Sequence, residues 1–275
     1  FREAPSTVLM GNMFKTDSLC RLKVRSILQD FFNYKKRNAY PKLIDCIESF
    51  FYKENLIKQR YHNLKEYKNI KWDTFDPKKK YYYYPFHLEP EAAVFYWGDG
   101  IYANQIKLLE NIAAQLPPNT YLYVKDHPHD IGYRNPDDYR KLQKIPNIKV
   151  LYAREPGKDI IRNSEGVITI NGSAGFEAIL LNKPVYYFGH PYYEAYEKTF
   201  FIKNIKDLGE ILRKNQSNNQ VDEVSLVEFV SDIFNNSFEG NTAVFYGNNV
   251  SSNENNQNVC KSFKEYLDLL RQELK

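Results

Sequence analysis

Apolar residues recur at intervals of three and four from Ser18 to Lys36 and again from Tyr40 to Lys68, the spacing of an amphipathic helix, so residues 1 to 76 are predicted to be mainly helical. The pattern changes at Tyr81. From there, short β-branched or aromatic runs alternate with helical ones: strand Tyr81 to Tyr84, helix Tyr102 to Gln115, strand Tyr121 to Lys125, helix Pro136 to Lys144, strand Ile148 to Tyr152 and helix Lys158 to Asn163. Val167-Ile168-Thr169-Ile170 reads as a buried parallel strand, and Asn171-Gly172-Ser173-Ala174-Gly175 reads as a tight turn. Phe176 to Leu181 then reads as a helix stopped by Asn182-Lys183-Pro184, and Val185 to Phe188 as the next strand. This alternation predicts an α/β fold, a parallel sheet with helices on both faces. Two more helical patterns follow, Asp207 to Lys214 and Ser225 to Phe234. Asn235 to Asn258 is polar enough to be expected as a long loop, and Ser262 to Leu274 closes the chain as an amphipathic helix.

Ligands of such sheets bind where the loops gather at the carboxyl ends of the strands. The turn at Gly172 to Gly175 falls there, and it presents backbone N–H groups at a helix N-terminus, where an anion such as a phosphate is favoured. Ser173 can bond a phosphate through its hydroxyl and N–H, or serve only as the helix N-cap. Gly172 and Gly175 allow positive φ or close packing. Glu177 suits the macrodipole of the first turn and could also accept from ribose hydroxyls. His127, held extended by Pro128 at the end of a strand, can donate a charge-assisted hydrogen bond to a phosphate or act as an acid on a leaving group. Glu89, Glu91 and His87 are concentrated in Tyr84 to Ala92. A carboxylate there could serve as base or nucleophile at an anomeric carbon, although Pro90-Glu91-Ala92 is also an ordinary helix start. Nucleophile-elbow, P-loop and G-x-G-x-x-G patterns are absent, which leaves a nucleotide phosphate held without a dedicated metal as the simplest ligand.

Composition narrows the class further. A chain of 275 residues with 43% hydrophobic and 16% aromatic residues can bury a substantial core and is not globally disordered. A net charge of +4 with evenly mixed acids and bases argues against nucleic acid as a partner, and Lys35-Lys36-Arg37 and Lys78-Lys79-Lys80 read as solvated surface. Cys20, Cys46 and Cys260 are far apart, with no paired Cys or His at metal spacing, so a reducing compartment and no structural zinc are expected. With no long apolar run and no signal-peptide pattern after Phe1, a cytoplasmic protein is expected, and the chain reads as an excised segment.

The set Tyr84-Pro85-Phe86-His87-Leu88-Glu89-Pro90-Glu91-Ala92, Val124-Lys125-Asp126-His127-Pro128, Gly172-Ser173-Ala174-Gly175-Phe176-Glu177-Ala178 and Lys183-Pro184-Val185 resembles the capsular polysaccharide biosynthesis proteins, which are grouped with the bacterial Kdo transferases of capsule assembly. Each motif alone is weak; their order and spacing over roughly residues 81 to 194 carry the likeness. The resemblance implies a GT-B glycosyltransferase, with the nucleotide sugar bound by the C-terminal of two Rossmann-like domains, and a CMP-linked donor such as CMP-Kdo as substrate in place of any cofactor. It assigns His127 and Ser173 to the CMP phosphate and makes Glu91 the best match for the catalytic acid; Pro128, Gly172, Ala174, Gly175, Glu177 and Lys125 complete the expected nucleotide-binding set. Relatives often carry glutamine where this chain has Glu89, which leaves the division of roles between the two carboxylates open. Lys125 or Lys183 could neutralise the donor's charges. The acceptor would be an oligosaccharide or glycolipid, reached by peripheral association with membrane-bound capsule machinery. The expected division is a helical segment 1–76, a nucleotide-sugar-binding domain 77–215 and C-terminal helices 216–275 with a polar loop at 235–258. A segment of 76 residues is too small for a second Rossmann-like half, so the expectation is a donor-binding portion of a longer protein or an enzyme with a reduced acceptor domain. A UDP-sugar donor stays open, as does a non-catalytic carbohydrate-binding module in which Tyr81 to Tyr84, Tyr186-Tyr187 and Tyr192-Tyr193 stack on sugars.

Overall fold

The computed structural model describes residues 58–87, 102, 104–215, 223–237 and 253–273. Among these residues six strands form one sheet: β1 (Tyr81–Pro85), β2 (Tyr121–Lys125), β3 (Ile148–Leu151), β4 (Val167–Thr169), β5 (Val185–Tyr187) and β6 (Thr199–Phe201). Their order is β3-β2-β1-β4-β5-β6, with β1 parallel to β4, β4 to β5 and β5 to β6. The helices are α1 (58–68), α2 (Gln105–Gln115), α3 (Pro136–Gln143), α4 (Gly157–Asn163), α5 (Ser173–Leu180), α6 (Leu208–Asn215), α7 (Glu223–Asn235) and α8 (Asn253–Glu273). This is the Rossmann-type strand order. Successive strands move one way from β1 to β3 and the other way from β4 to β6, so the topological switch point lies between β1 and β4.

The chain resolves into two compact units whose boundary falls inside β2. Of the described residues, one takes those up to 74 together with 124–155; the other takes those from 75 to 123 together with those from 156 onward. In the second unit, β1 is covered on both faces, so its four consecutive tyrosines are all buried rather than alternating in and out. The Tyr81 ring meets Tyr123 edge-on at 4.5 Å, and its hydroxyl donates to the Ile160 carbonyl at 2.7 Å; the Tyr82 ring meets Tyr186 at 5.7 Å. Tyr186, Tyr187 and Tyr193 are buried as well, so of the tyrosines considered as sugar-stacking surfaces only Tyr192 is exposed. In the first unit, Tyr67, Trp72 and Tyr139 pack as an aromatic cluster, with Trp72 5.3 Å from Tyr139 and 4.6 Å from Tyr67. Asp73 covers the flank of β3, its N–H donating to the Val150 carbonyl at 3.0 Å and its carboxylate accepting the Val150 N–H at 2.9 Å. Gly132 has φ +87, and a side chain there would also meet Leu64.

Helix α2 begins at Gln105, behind its cap Asn104, rather than at Tyr102, and three other elements depart from the sequence expectation. Helix α5 begins at Ser173, not Phe176, because Gly172 is the N-cap and the glycine-bearing residues belong to the first helical turn. Strand β6 is a three-residue Thr-Phe-Phe run, too short to register as a periodic pattern. Helix α8 starts at Asn253, inside the stretch expected to be loop; its opening turns carry only asparagine, glutamate and glutamine, so they show no apolar stripe for the sequence pattern to register.

Burial raises the pKa of Tyr67, Tyr81, Tyr139, Tyr186 and Tyr193 far above the ordinary phenol value, and at Tyr139 the neighbouring Asp126 carboxylate adds to the effect. The folded state keeps these protons while the unfolded chain releases them above a pH of about 10. Their contribution is therefore complete below that pH and is lost as pH rises further. Each such tyrosine steepens the decline by up to about 1.4 kcal/mol per pH unit. Denaturation midpoints measured from pH 8 to 11 should be flat and then fall steeply; a flat profile throughout would mean that these phenols reach solvent.

Candidate functional site

Two side-chain clusters stand at strand carboxyl ends, one in each unit. In the second unit the chain leaves β1 through Phe86 to His87, which is buried. The His87 Nε2 lies 3.2 Å from the Ile170 nitrogen and 3.1 Å from the Thr169 Oγ1. A backbone N–H can only donate, so Nε2 is the accepting nitrogen and the proton of the neutral ring sits on Nδ1. Thr169 Oγ1 in turn accepts the Gly172 N–H at 3.1 Å. Gln105, at the start of α2, fixes the backbone of His87 at both polar groups: its Oε1 accepts the His87 N–H at 2.9 Å and its Nε2 donates to the His87 carbonyl at 3.0 Å. Tyr84 also donates to Oε1, at 3.1 Å. The loop after β1 and the turn after β4 are thus tied across the switch point by buried polar side chains.

The two glycines of this turn answer to space and not to backbone strain. Gly172 has φ −92, an ordinary value, but a Cβ there would stand 3.0 Å from His87 Cε1 and 3.2 Å from Thr169 Oγ1. At Gly175 a Cβ would lie 2.1 Å from the hydroxyl of Tyr193, which is fully buried and donates to the Gly172 carbonyl at 2.6 Å. The same bonding narrows the turn's donors. Gly172 N–H goes to Thr169 and Gly175 N–H to the Gly172 carbonyl at 3.0 Å, whereas Ser173 and Ala174 hold the first two helical positions, whose N–H groups have no acceptor within the helix. Ser173 is exposed and makes no capping bond, so it is not the N-cap. Glu177 is half-buried near Tyr192, whose ring packs on Phe176 at 5.5 Å and whose hydroxyl pKa is raised first by burial and then by the Glu177 charge.

In the first unit, Asp126 organises the loop after β2. Its Oδ1 accepts the His127 N–H at 2.8 Å; its Oδ2 accepts from Arg134 Nε at 3.2 Å and from the Tyr139 hydroxyl. Arg134 also reaches Asp130 at 3.5 Å, and the Asp130 N–H closes the turn on the His127 carbonyl at 2.9 Å. All four of Asp126, Asp130, Arg134 and Tyr139 are buried, whereas His127 is exposed and Pro128 half-buried. Lys125 is buried, and its ammonium donates to the Ala153 carbonyl at 3.1 Å, while the Ala153 N–H donates to Tyr67. Lys183 is half-buried, and burial lowers its pKa. Glu89 and Glu91 lie outside the described residues.

Residues 13–197 match the family described as capsule polysaccharide biosynthesis protein. The chain belongs to this family. The chain is 30% identical over 106 residues to the capsule polysaccharide export protein KpsS of Escherichia coli, a match covering 36% of this chain and 26% of that protein. It is 30% identical over 94 residues to the capsule polysaccharide modification protein LipB of Neisseria meningitidis serogroup A, covering 32% and 22%. The chain thus matches about a quarter of these curated relatives. The KpsC beta Kdo 2,7 transferase structure from Thermosulfurimonas dismutans aligns over 63% of this chain and 52% of its own, at 22% identity and a TM-score of 0.40. The family match spans both clusters, from His87 through His127 to Tyr193. Sequence reasoning placed His87 with Glu89 behind Glu91, considered Tyr193 only as a sugar-stacking ring, and missed Gln105, Thr169 and Arg134. One signal was present for Gln105: it falls on the same stripe as Leu108, Leu109 and Ile112, and a polar residue on an apolar helix face is there to bond something buried.

Proposed function

We propose that this capsule family member is the donor-binding part of a GT-B glycosyltransferase of surface polysaccharide assembly, using a CMP-activated acidic sugar such as Kdo. The observation that carries the reading is the bonded turn at the β1/β4 switch point, which leaves the Ser173 and Ala174 N–H groups at a helix N-terminus, the place where sheets of this order bind phosphate-bearing ligands. In the transfer, an acceptor hydroxyl oxygen bonds to the anomeric carbon as the bond from that carbon to the donor phosphate breaks. CMP leaves with the electron pair, and the hydroxyl proton passes to a carboxylate, Glu91 or Glu89. Donors aimed at the leaving phosphate stabilise the charge that develops there. The assignment of His127 to the nucleotide rests on the His-Pro motif alone, and the oligosaccharide or glycolipid acceptor on the family. Among the described residues no helix is long and apolar enough to cross a membrane.

A thermal-shift titration with CMP, UDP, GDP and ADP tests the reading. Selective stabilisation by CMP, of about 2.7 kcal/mol at a hundredfold excess over Kd, is expected for the native chain and should be clearly smaller at the same CMP concentration in His127→Ala, whose affinity is weakened. Selective stabilisation by UDP would replace the donor class. No shift with any nucleotide, together with oligosaccharide binding, would favour a carbohydrate-binding module.

A further inference from the structure

We propose that Arg134 is a positioning residue for His127, acting through the two aspartates that bracket its turn. The inference rests on the assignment of His127 to the donor phosphate. Arg134 Nε meets Asp126 at 3.2 Å and its Nη2 meets Asp130 at 3.5 Å, so one guanidinium ties the residue before His127 to the residue that closes the turn after it. Asp126 simultaneously holds the His127 N–H, and Asp130 N–H holds the His127 carbonyl, so both backbone groups of the histidine are set by residues that Arg134 clamps. The Arg134 side chain is 4% exposed and those of Asp126 and Asp130 are 1% and 8%, while His127 itself is exposed. Burying three charges costs desolvation that an apolar packing would avoid, so stability alone is a poor reason for this arrangement. A rigid mount for an exposed histidine is a better one, because a group that must meet a ligand gains from being held in one geometry. Lysine cannot reproduce it, since a single ammonium lacks the planar fork that spans two carboxylates.

The test is a double-mutant cycle read by CMP titration calorimetry, with circular dichroism confirming the native fold of each variant. Arg134→Lys should weaken CMP binding about tenfold, no more than His127→Ala does, and should cause no further loss in the His127→Ala background. A merely structural role would weaken both backgrounds by the same factor, and that result would overturn the inference. If Arg134→Lys does not fold, Asp130→Asn, which leaves the Asp126 contact in place, carries the same cycle with a smaller expected loss. Native-like CMP affinity in folded Arg134→Lys, alongside weakened binding in His127→Ala, would overturn the positioning role alone. Equal behaviour of the native chain and His127→Ala, whether both bind CMP or neither does, would overturn the His127 assignment and the positioning role with it.

Discussion

Gly175→Ala is expected to destabilise the protein by about 3 kcal/mol and to lower its melting temperature by about 6–12 °C. Nothing in the helix backbone forbids alanine at this position. The obstacle is Tyr193, whose hydroxyl, Cζ and Cε2 would lie 2.1, 2.5 and 2.9 Å from the added carbon. Tyr193 has nowhere to retreat: it is fully buried, and its hydroxyl is committed to the Gly172 carbonyl at 2.6 Å. Moving it breaks that bond as well as the packing, so the overpacking and hydrogen-bond terms add. Tyr193→Phe removes the closest of the three atoms together with the bond. Combined with Gly175→Ala, it should therefore cost less than the sum of the two single changes, by about 1 kcal/mol or more. Additive losses in urea titrations would show that the ring moves aside freely and that the glycine is there for another reason. Because Tyr193 holds the carbonyl of the helix N-cap, Gly175→Ala should also weaken any ligand bound at the Ser173 and Ala174 N–H groups before the protein as a whole unfolds.

The same residues show what the sequence could and could not reveal. Periodicity located β1, β2, β3, β4 and β5 and the helices between them, because each strand is a compact apolar run and α3 carries its own signals: an asparagine cap at Asn135, Pro136 at the first position, and acids before bases along its length. The glycine turn was legible as a turn. Its internal bonding was not, since Thr169 looks like any β-branched strand residue and His87 like one polar member of a crowded segment, and only the pairing of β1 with β4 brings them to 3.1 Å. The setting of Lys125 was hidden for a related reason: a lysine at a strand end is ordinarily solvated, whereas here the carbonyl of Ala153, from the next strand's loop, receives it in the interior. Arg134 lies in a segment without periodicity, and its two partners become neighbours only once the turn at Pro128–Asp130 has formed.

Asp126→Ala is the substitution expected to cost most, about 4 kcal/mol, as is typical when one member of a buried ion pair is removed. The carboxylate accepts three hydrogen bonds, from the His127 N–H, Arg134 and Tyr139, and all three donors lose it at once. Asp130 alone, 3.5 Å away, is a weaker counterion for the buried guanidinium than the pair that it replaces. Asp126→Asn separates charge from geometry. The amide oxygen can still take the His127 N–H, but its NH₂ faces the Arg134 and Tyr139 donors, so a loss of about half that of alanine is expected. Chemical denaturation of the three proteins at one pH reads the series. Equal losses for asparagine and alanine would assign the whole effect to the charge, and a loss below about 1 kcal/mol in both would mean that Arg134 and Tyr139 find other acceptors. The expected order, with asparagine between the native chain and alanine, makes the carboxylate both counterion and template of the loop. In that case the exposed position of His127 is set from below, by a buried acid one residue before it.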